Sequence, residues 1–340
     1  MFSFRNDYSE GAHPAVLQAL TETNLEATAG YGRDRYCEAA ADAVRRRFAC
    51  AGADVHFLVG GTITNLTAIA AFLRPWEAVI AADTAHICVH ESGAIEAAGH
   101  RICSIPAPEG KLTPALIRSV AEAHQNGDDG HMAVPRLVYL SDATELGTVY
   151  TRAELTAIHE TCRELGLYLY LDGARMGAAL VCRGNDLTPE DFPRLCDAFY
   201  IGGTKNGLLF GEALVIVNDT LKPYFRNCIK QRGAMLAKGR LLGVQFLAFF
   251  KNDLWLELAR HADRAADRLA CALREKGYEF YAEPCTNQLF PIFTQEKLAA
   301  LKTDFAFELN APLDGGRQAV RFVTSWATAD EALDALIAAL

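Results

Sequence analysis

Between Val55 and Val217, short apolar runs alternate with turns and with stretches whose apolar residues recur at helical spacing. The runs Val55–Val59, Ala78–Ala81, Arg101–Ile105, Leu137–Leu140, Leu167–Leu171, Ala198–Ile201 and Ala213–Val217 are mostly continuous rather than alternating. Such runs suit strands covered on both faces, as parallel sheets require. Between them, Thr151 with Glu154 forms a capping box for a helix over Arg152–Leu165, which Gly166 ends. Thr113-Pro114 starts another helix, running to about His124, with proline at its first position. The stretch Asn126–His131 reads as a polar surface loop. The pattern predicts a three-layer α/β large domain over residues 1–240, with a mixed, mostly parallel seven-stranded sheet.

From about Leu241 the rhythm changes. A long amphipathic helix is expected over Leu254–Lys276, ended by Gly277. Short strand candidates follow at Tyr278–Tyr281, Gln288–Pro291, Phe305–Leu309 and Val320–Thr324, then a terminal helix over Ala329–Leu340. These predict a small α+β C-terminal domain over residues 241–340.

Composition narrows the function classes. The chain has 340 residues, 51% hydrophobic and 22% charged, which suits an ordered protein with room for two domains. A formal net charge of -9 argues against a general nucleic-acid surface. No apolar stretch is long enough for a membrane span, and Met1–Asp7 lacks the basic and apolar regions of a signal peptide. The ten cysteines are scattered with no CxxC pair, which predicts free thiols and a cytoplasmic location.

Several segments carry candidate chemistry. Gly60-Gly61-Thr62 follows a strand and precedes a helical run near Asn65; it reads either as an anion site or as an ordinary tight turn. It matches neither GxGxxG nor the nucleotide phosphate loop. Asp172 ends the most apolar strand, where α/β sheets bind ligands. It is either a helix cap or a carboxylate that holds a proton on a heteroaromatic nitrogen. Lys205, in Phe199–Gly207, lies in a glycine-rich loop after a buried strand, as a phosphate contact or a Schiff-base nucleophile. Beside it, Thr204 offers a hydroxyl to a phosphate. His86 suits stacking on a flat cofactor or proton relay, with His90 and Glu91 close behind. The pair His86 and His90 lacks the HExxH arrangement, so no metal site is expected.

In this order, the residues resemble the threonine aldolase group of the β-eliminating lyase family, fold-type I enzymes dependent on pyridoxal 5′-phosphate (PLP). The resemblance spans most of the chain. It implies a phosphate cradle at Gly61, Thr62 and Asn65, ring stacking by His86, a pyridine-nitrogen carboxylate at Asp172 and a Schiff base on Lys205. It further implies that Arg175 lies near the cofactor and substrate, and that Arg321 grips the substrate carboxylate. A homo-oligomer built from dimers, typically a tetramer, is implied as well, with Lys230, Arg232 or Lys238 reaching a shared site. Two positions depart from the family pattern. Asn6 stands where a serine contacting the carboxylate is usual, and Glu145 where a histidine near the substrate hydroxyl is usual.

The resemblance implies cleavage of the Cα–Cβ bond of a threonine-type β-hydroxy amino acid to glycine and an aldehyde. The proton acceptor stays open among His86, Glu91, Glu145 and water. The runner-up is β-elimination, or another PLP reaction, on a small or aryl-bearing amino acid. A PLP-binding protein without turnover and a purely structural module are the remaining classes.

Overall fold

The computed structural model describes residues 1–125 and 130–340. Part of the expected polar loop, at 126–129, lies outside the described residues. The first strand, β1 (Phe2–Ser3), belongs with the C-terminal part of the chain. Seven strands follow: β2 (Asp54–Leu58), β3 (Glu77–Ala82), β4 (Ile102–Ile105), β5 (Val134–Ser141), β6 (Tyr168–Asp172), β7 (Ala198–Gly202) and β8 (Glu212–Ile216). Each coincides with one of the apolar runs. They form one sheet in the order β2-β8-β7-β6-β5-β3-β4.

Only β8 runs antiparallel to its neighbours; the other pairs are parallel. The carboxyl ends of β2, β3, β5, β6 and β7 therefore share one edge with the start of β8. Loops from six strands converge there, which is where open α/β sheets place their ligands.

Local signals act as the sequence implies. Thr151 and Glu154 form the reciprocal capping box of the helix Arg152–Leu165, and Gly166 closes it at φ 65°. The helix Pro114–Gln125 begins at its proline. After β2 the helix begins at Gly61, earlier than Asn65, because Thr64 donates its backbone N–H and its hydroxyl to Gly60 O. The first turn therefore closes directly on the strand end.

The C-terminal strands are more broken than the apolar pattern suggests. No strand forms over Tyr278–Tyr281; Phe280 makes a single bridge to Pro291. Tyr278 instead packs edge-on against Phe293, so the aromatic spacing there fills a core and makes no ladder. Gln288–Pro291 gives only β9 (Gln288–Leu289), with β10 (Ile292–Thr294) beginning after Pro291, which has no N–H to donate. The stretch Phe305–Leu309 divides into β11 (Phe305–Ala306), which pairs with β1, and β12 (Glu308–Pro312). Strand β13 (Arg317–Val323) pairs with β9, β10 and β12.

Two apolar cores result. One surrounds the large sheet and reaches as far along the chain as Trp255 and Leu256. The other gathers Leu269 and Leu273 of the helix Leu254–Glu275 with Phe293, Phe305, Phe322 and Leu336, and it includes Phe4 from the other end of the chain. Among the described residues, no helix is long and apolar enough to cross a membrane.

Candidate active site

A cavity of about 520 Å³ opens at the shared strand edge. Gly61, Thr62, His86, Glu145, Asp172, Arg175, Thr204, Lys205 and Arg321 all line it. Sheet order explains the convergence: residues far apart in sequence sit at neighbouring strand ends.

Asp172 anchors the sheet side. Its Oδ2 accepts from Tyr139 Oη at 2.5 Å and from Asn65 Nδ2 at 3.0 Å, and its Oδ1 accepts from Ala174 N at 2.9 Å. Burial pushes the carboxyl up, but donation from Tyr139, Tyr200 and Asn65 and the nearby His86 outweigh it. The net shift is downward, so a fully buried carboxylate stays ionised. Beside it, the buried Glu91 accepts from Asn65 Nδ2 and lies 2.8 Å from His86 Nδ1. His86 is thereby fixed in orientation at the rim.

Lys205 follows β7 in a short turn, Thr204–Asn206. Burial, then the charge of Arg175, pushes its amine down, against Asp7, Asp172 and Glu212. The result favours a neutral, nucleophilic amine. Glu212 is pushed up to about 7, chiefly by burial, and its Oε1 accepts from Thr204 Oγ1 at 2.7 Å. Gly202 is required on packing grounds: a Cβ there would lie 2.2 Å from Ala174 O. That contact brings the lysine loop against the Asp172 turn.

The opposite wall comes from both ends of the chain. Asp7 is buried and binds Arg175 through two contacts, Nε to Oδ2 at 2.7 Å and Nη2 to Oδ1 at 3.0 Å. Asn287 Nδ2 donates to the same Oδ2 at 3.0 Å. Arg321 projects from β13, and its buried Nε has no hydrogen-bond partner. Gln288 also lines the cavity, and its buried Oε1 lacks a donor. Glu145 Oε1 accepts from Ser141 Oγ at 2.7 Å and from His86 N at 2.9 Å. Burial raises its pKa despite the Ser141 hydrogen bond.

Several expected contacts are corrected. Asn65 is wholly buried beneath the cavity, with its amide committed to Glu91, Asp172 and Tyr170, so it supports the carboxylates and does not cradle a phosphate. Asn6 accepts from Tyr8 N and Ser9 Oγ in a local turn and is absent from the cavity lining, where Tyr8 is present. Thr204 spends its proton on Glu212 and accepts from Gly211 N. Lys230, Arg232 and Lys238, expected only at a site shared between subunits, do not line this chain's own cavity, and that expectation stands; Lys230 Nζ sits 4.5 Å over the Tyr31 ring. The sequence reading missed Asp7, Tyr139, Glu212, Asn287 and Gln288. Tyr139 and Glu212 carried a usable signal, since both lie at or near strand ends on the active edge.

Residues 3–296 match the model of the beta-eliminating lyase family. The low specificity L-threonine aldolase of Pseudomonas aeruginosa is 35% identical over 333 residues, covering 96% of this chain and 93% of that one. The chain belongs to the beta-eliminating lyase family. A solved structure of Leishmania major threonine aldolase superposes with a TM-score of 0.97 at 46% identity, covering 99% of this chain and 98% of that one. A Thermus thermophilus aspartate aminotransferase shares the fold alone, with TM-score 0.73 at 15% identity over 100% of this chain and 90% of that one.

The protein is a PLP-dependent lyase of fold type I. Its cavity fits the cofactor on four counts. A buried ionised carboxylate faces a depressed lysine amine. The helix Gly61–Phe72 presents its N-terminus without a side-chain cap, a donor set suited to a phosphate. An imidazole stands at the rim, and an arginine donor waits without an acceptor.

Proposed function

We propose that this lyase cleaves the Cα–Cβ bond of a threonine-type β-hydroxy amino acid, releasing glycine and an aldehyde. The observation that carries the reading is the meeting of Asp172, Lys205 and the unpartnered Arg321 Nε in one cavity of a chain belonging to this family. When bound, PLP supplies the electron sink that makes the bond breakable.

The remaining work falls to the chain's own groups. Lys205 is the amine that holds the cofactor and exchanges with the substrate's amine. Asp172 keeps a proton on the pyridine nitrogen, helped by the donors that hold it ionised. Gly61 and Thr62 offer N–H and hydroxyl groups to the phosphate, and His86 covers the ring face. Arg321 receives the substrate carboxylate, supplying the acceptor its Nε lacks. Arg175, with two donors already spent on Asp7, borders the carboxylate site and adds positive charge. Glu145 takes the β-hydroxyl proton: Ser141 and His86 N hold its Oε1, leaving Oε2 to accept it. Its raised pKa makes it a stronger base than an exposed glutamate.

A second reading, β-elimination, draws on Glu145 standing where the aldolase pattern places histidine. A product assay on the PLP-loaded enzyme separates the two. Acetaldehyde and glycine in equal amounts from L-threonine support the aldolase reading; ammonia and an oxo acid without acetaldehyde overturn it.

We assign most of residues 1–240 to a cofactor domain and most of 241–340 to a smaller domain that brings Arg321, with Phe2–Phe4 joining the smaller one and the large core reaching Leu256. We further infer a cytoplasmic homo-oligomer built from dimers, in which one of Lys230, Arg232 and Lys238 serves a partner's phosphate. None of the three lines this chain's own cavity, which is consistent with service to a neighbouring subunit. Sedimentation of the enzyme decides between dimer and tetramer.

A further inference from the structure

The ten cysteines are all free thiols, and two of them face each other. Cys182 Sγ and Cys285 Sγ lie 3.6 Å apart across a separation of 103 residues. A disulfide needs about 2.05 Å between the sulfurs, so the pair would close by about 1.5 Å from its 3.6 Å separation. Cys182 caps the short helix Met176–Val181, which starts directly after Arg175. Cys285 precedes Thr286-Asn287-Gln288, whose side chains bond Gly147 O, Asp7 and Thr144 O around the active cavity.

We propose that Cys182 and Cys285 form a reversible thiol-modification site, closing under oxidation to a disulfide that ties the Arg175 helix to the Asn287–Gln288 segment. This site stands apart from the PLP chemistry and does not depend on the substrate.

A separate cavity of about 200 Å³ gives a small oxidant access to both sulfurs. Arg183, Arg260 and Arg264 line it with Asp263 and Asp267. Cys285 is half-buried where Cys182 is buried, so its sulfur is the one a small oxidant reaches first. Asp263 is pushed up to about 9, chiefly by burial, so near neutrality its carboxyl keeps a proton to give to a departing hydroxide.

With hydrogen peroxide as oxidant the steps balance. Cys285 sulfur attacks one peroxide oxygen, the O–O bond breaks, and the other oxygen leaves as water with a proton from Asp263, which the Cys285 thiol proton restores; the product is a sulfenic acid. Cys182 sulfur then attacks Cys285 sulfur, an S–S bond replaces the S–O bond, and a second water carries off the oxygen with the Cys182 proton. Two thiols are oxidised as one peroxide is reduced to two waters.

The test is a peroxide titration of the PLP-loaded enzyme, followed by alkylation, digestion and mass spectrometry. The expected result is a Cys182–Cys285 cross-linked peptide at peroxide levels that leave the exposed Cys271 unmodified, lost again on adding dithiothreitol. In thermal unfolding without reductant, the oxidised wild type should melt above the reduced form, and C285A should show no such difference. The mapping uses the wild-type chain, so a variant that folds poorly does not blunt it. The proposal is overturned if both thiols stay alkylatable once Cys271 is oxidised, if either joins a different cysteine, or if Cys285 stops at sulfinic acid without a cross-link.

Discussion

On the sheet side of the active cavity, Asp172 accepts from Tyr139, Asn65 and Ala174 N, and Glu91 shares Asn65 with it. On the side built by the C-terminal strands, Arg321 Nε and Gln288 Oε1 are buried with nothing to bond. Buried polar groups are normally satisfied, so an unmet donor and an unmet acceptor facing one cavity mark where a ligand completes the structure. Asp172 is fully bonded before anything binds and suits a resident cofactor whose ring must meet a set charge, while Glu91 Oε2 behind it is unpartnered. The unsatisfied side suits a transient substrate whose carboxylate and hydroxyl come and go.

The largest expected effect tests the join between the sides. Lys205→Ala should abolish multiple turnover and the PLP attachment that borohydride traps on the protein, while circular dichroism stays unchanged. A trapped adduct in the variant would move the attachment to another lysine.

Next comes Glu145→Gln, which keeps the Ser141 and His86 contacts but removes the base. General bases typically contribute about 10²–10⁴-fold, so kcat/KM should fall at least a hundredfold near neutral pH. Because the Glu145 pKa is raised, wild-type kcat/KM should climb with pH above the ordinary glutamate range as the carboxylate forms. That acid limb should vanish in the variant. An unchanged limb would pass the proton-acceptor role to His86 or water.

Asp172→Asn should retain PLP and lower kcat about tenfold to a hundredfold, since a charged hydrogen bond contributes roughly 1.5–3 kcal/mol. The smallest effect belongs to the unsatisfied wall. Arg321→Lys keeps a charge and loses the Nε donor, so KM for the amino acid should rise about tenfold with kcat largely held. If kcat fell instead at constant KM, Arg321 would act on the reacting bond and the contrast between the two sides would fail.

The satisfied side was far more legible in the sequence than the other. Apolar runs located all seven strands; Asp172 stands out because it ends a buried run, and Lys205 because it lies in a glycine-rich loop just after one. What escaped was the support beneath them. The family resemblance puts Asn65 in a phosphate cradle, yet its helix turns it inward onto two carboxylates. Asp7 carried no periodic or motif signal, and its partner Arg175 is distant in sequence. The C-terminal strands misled for a related reason: Tyr278 and Phe280 have strand-like alternation but pack as core aromatics. Short, bent strands are set by tertiary contacts, which local patterns do not encode.

The pairing of β1 with β11 bears on the order in which this protein can mature. Phe2 and Ser3 find their partners, Phe305 and Ala306, and Phe4 O accepts from Val323 N, only after synthesis has passed Val323. Asp7 lies a few residues beyond that junction and holds Arg175 in the cavity wall. As the chain leaves the ribosome, the large sheet can assemble while its earliest residues still wait for the last ones. The seat for the cofactor's ring is therefore ready before the wall that receives the substrate, and a nascent chain released early would be able to bind without being able to turn over.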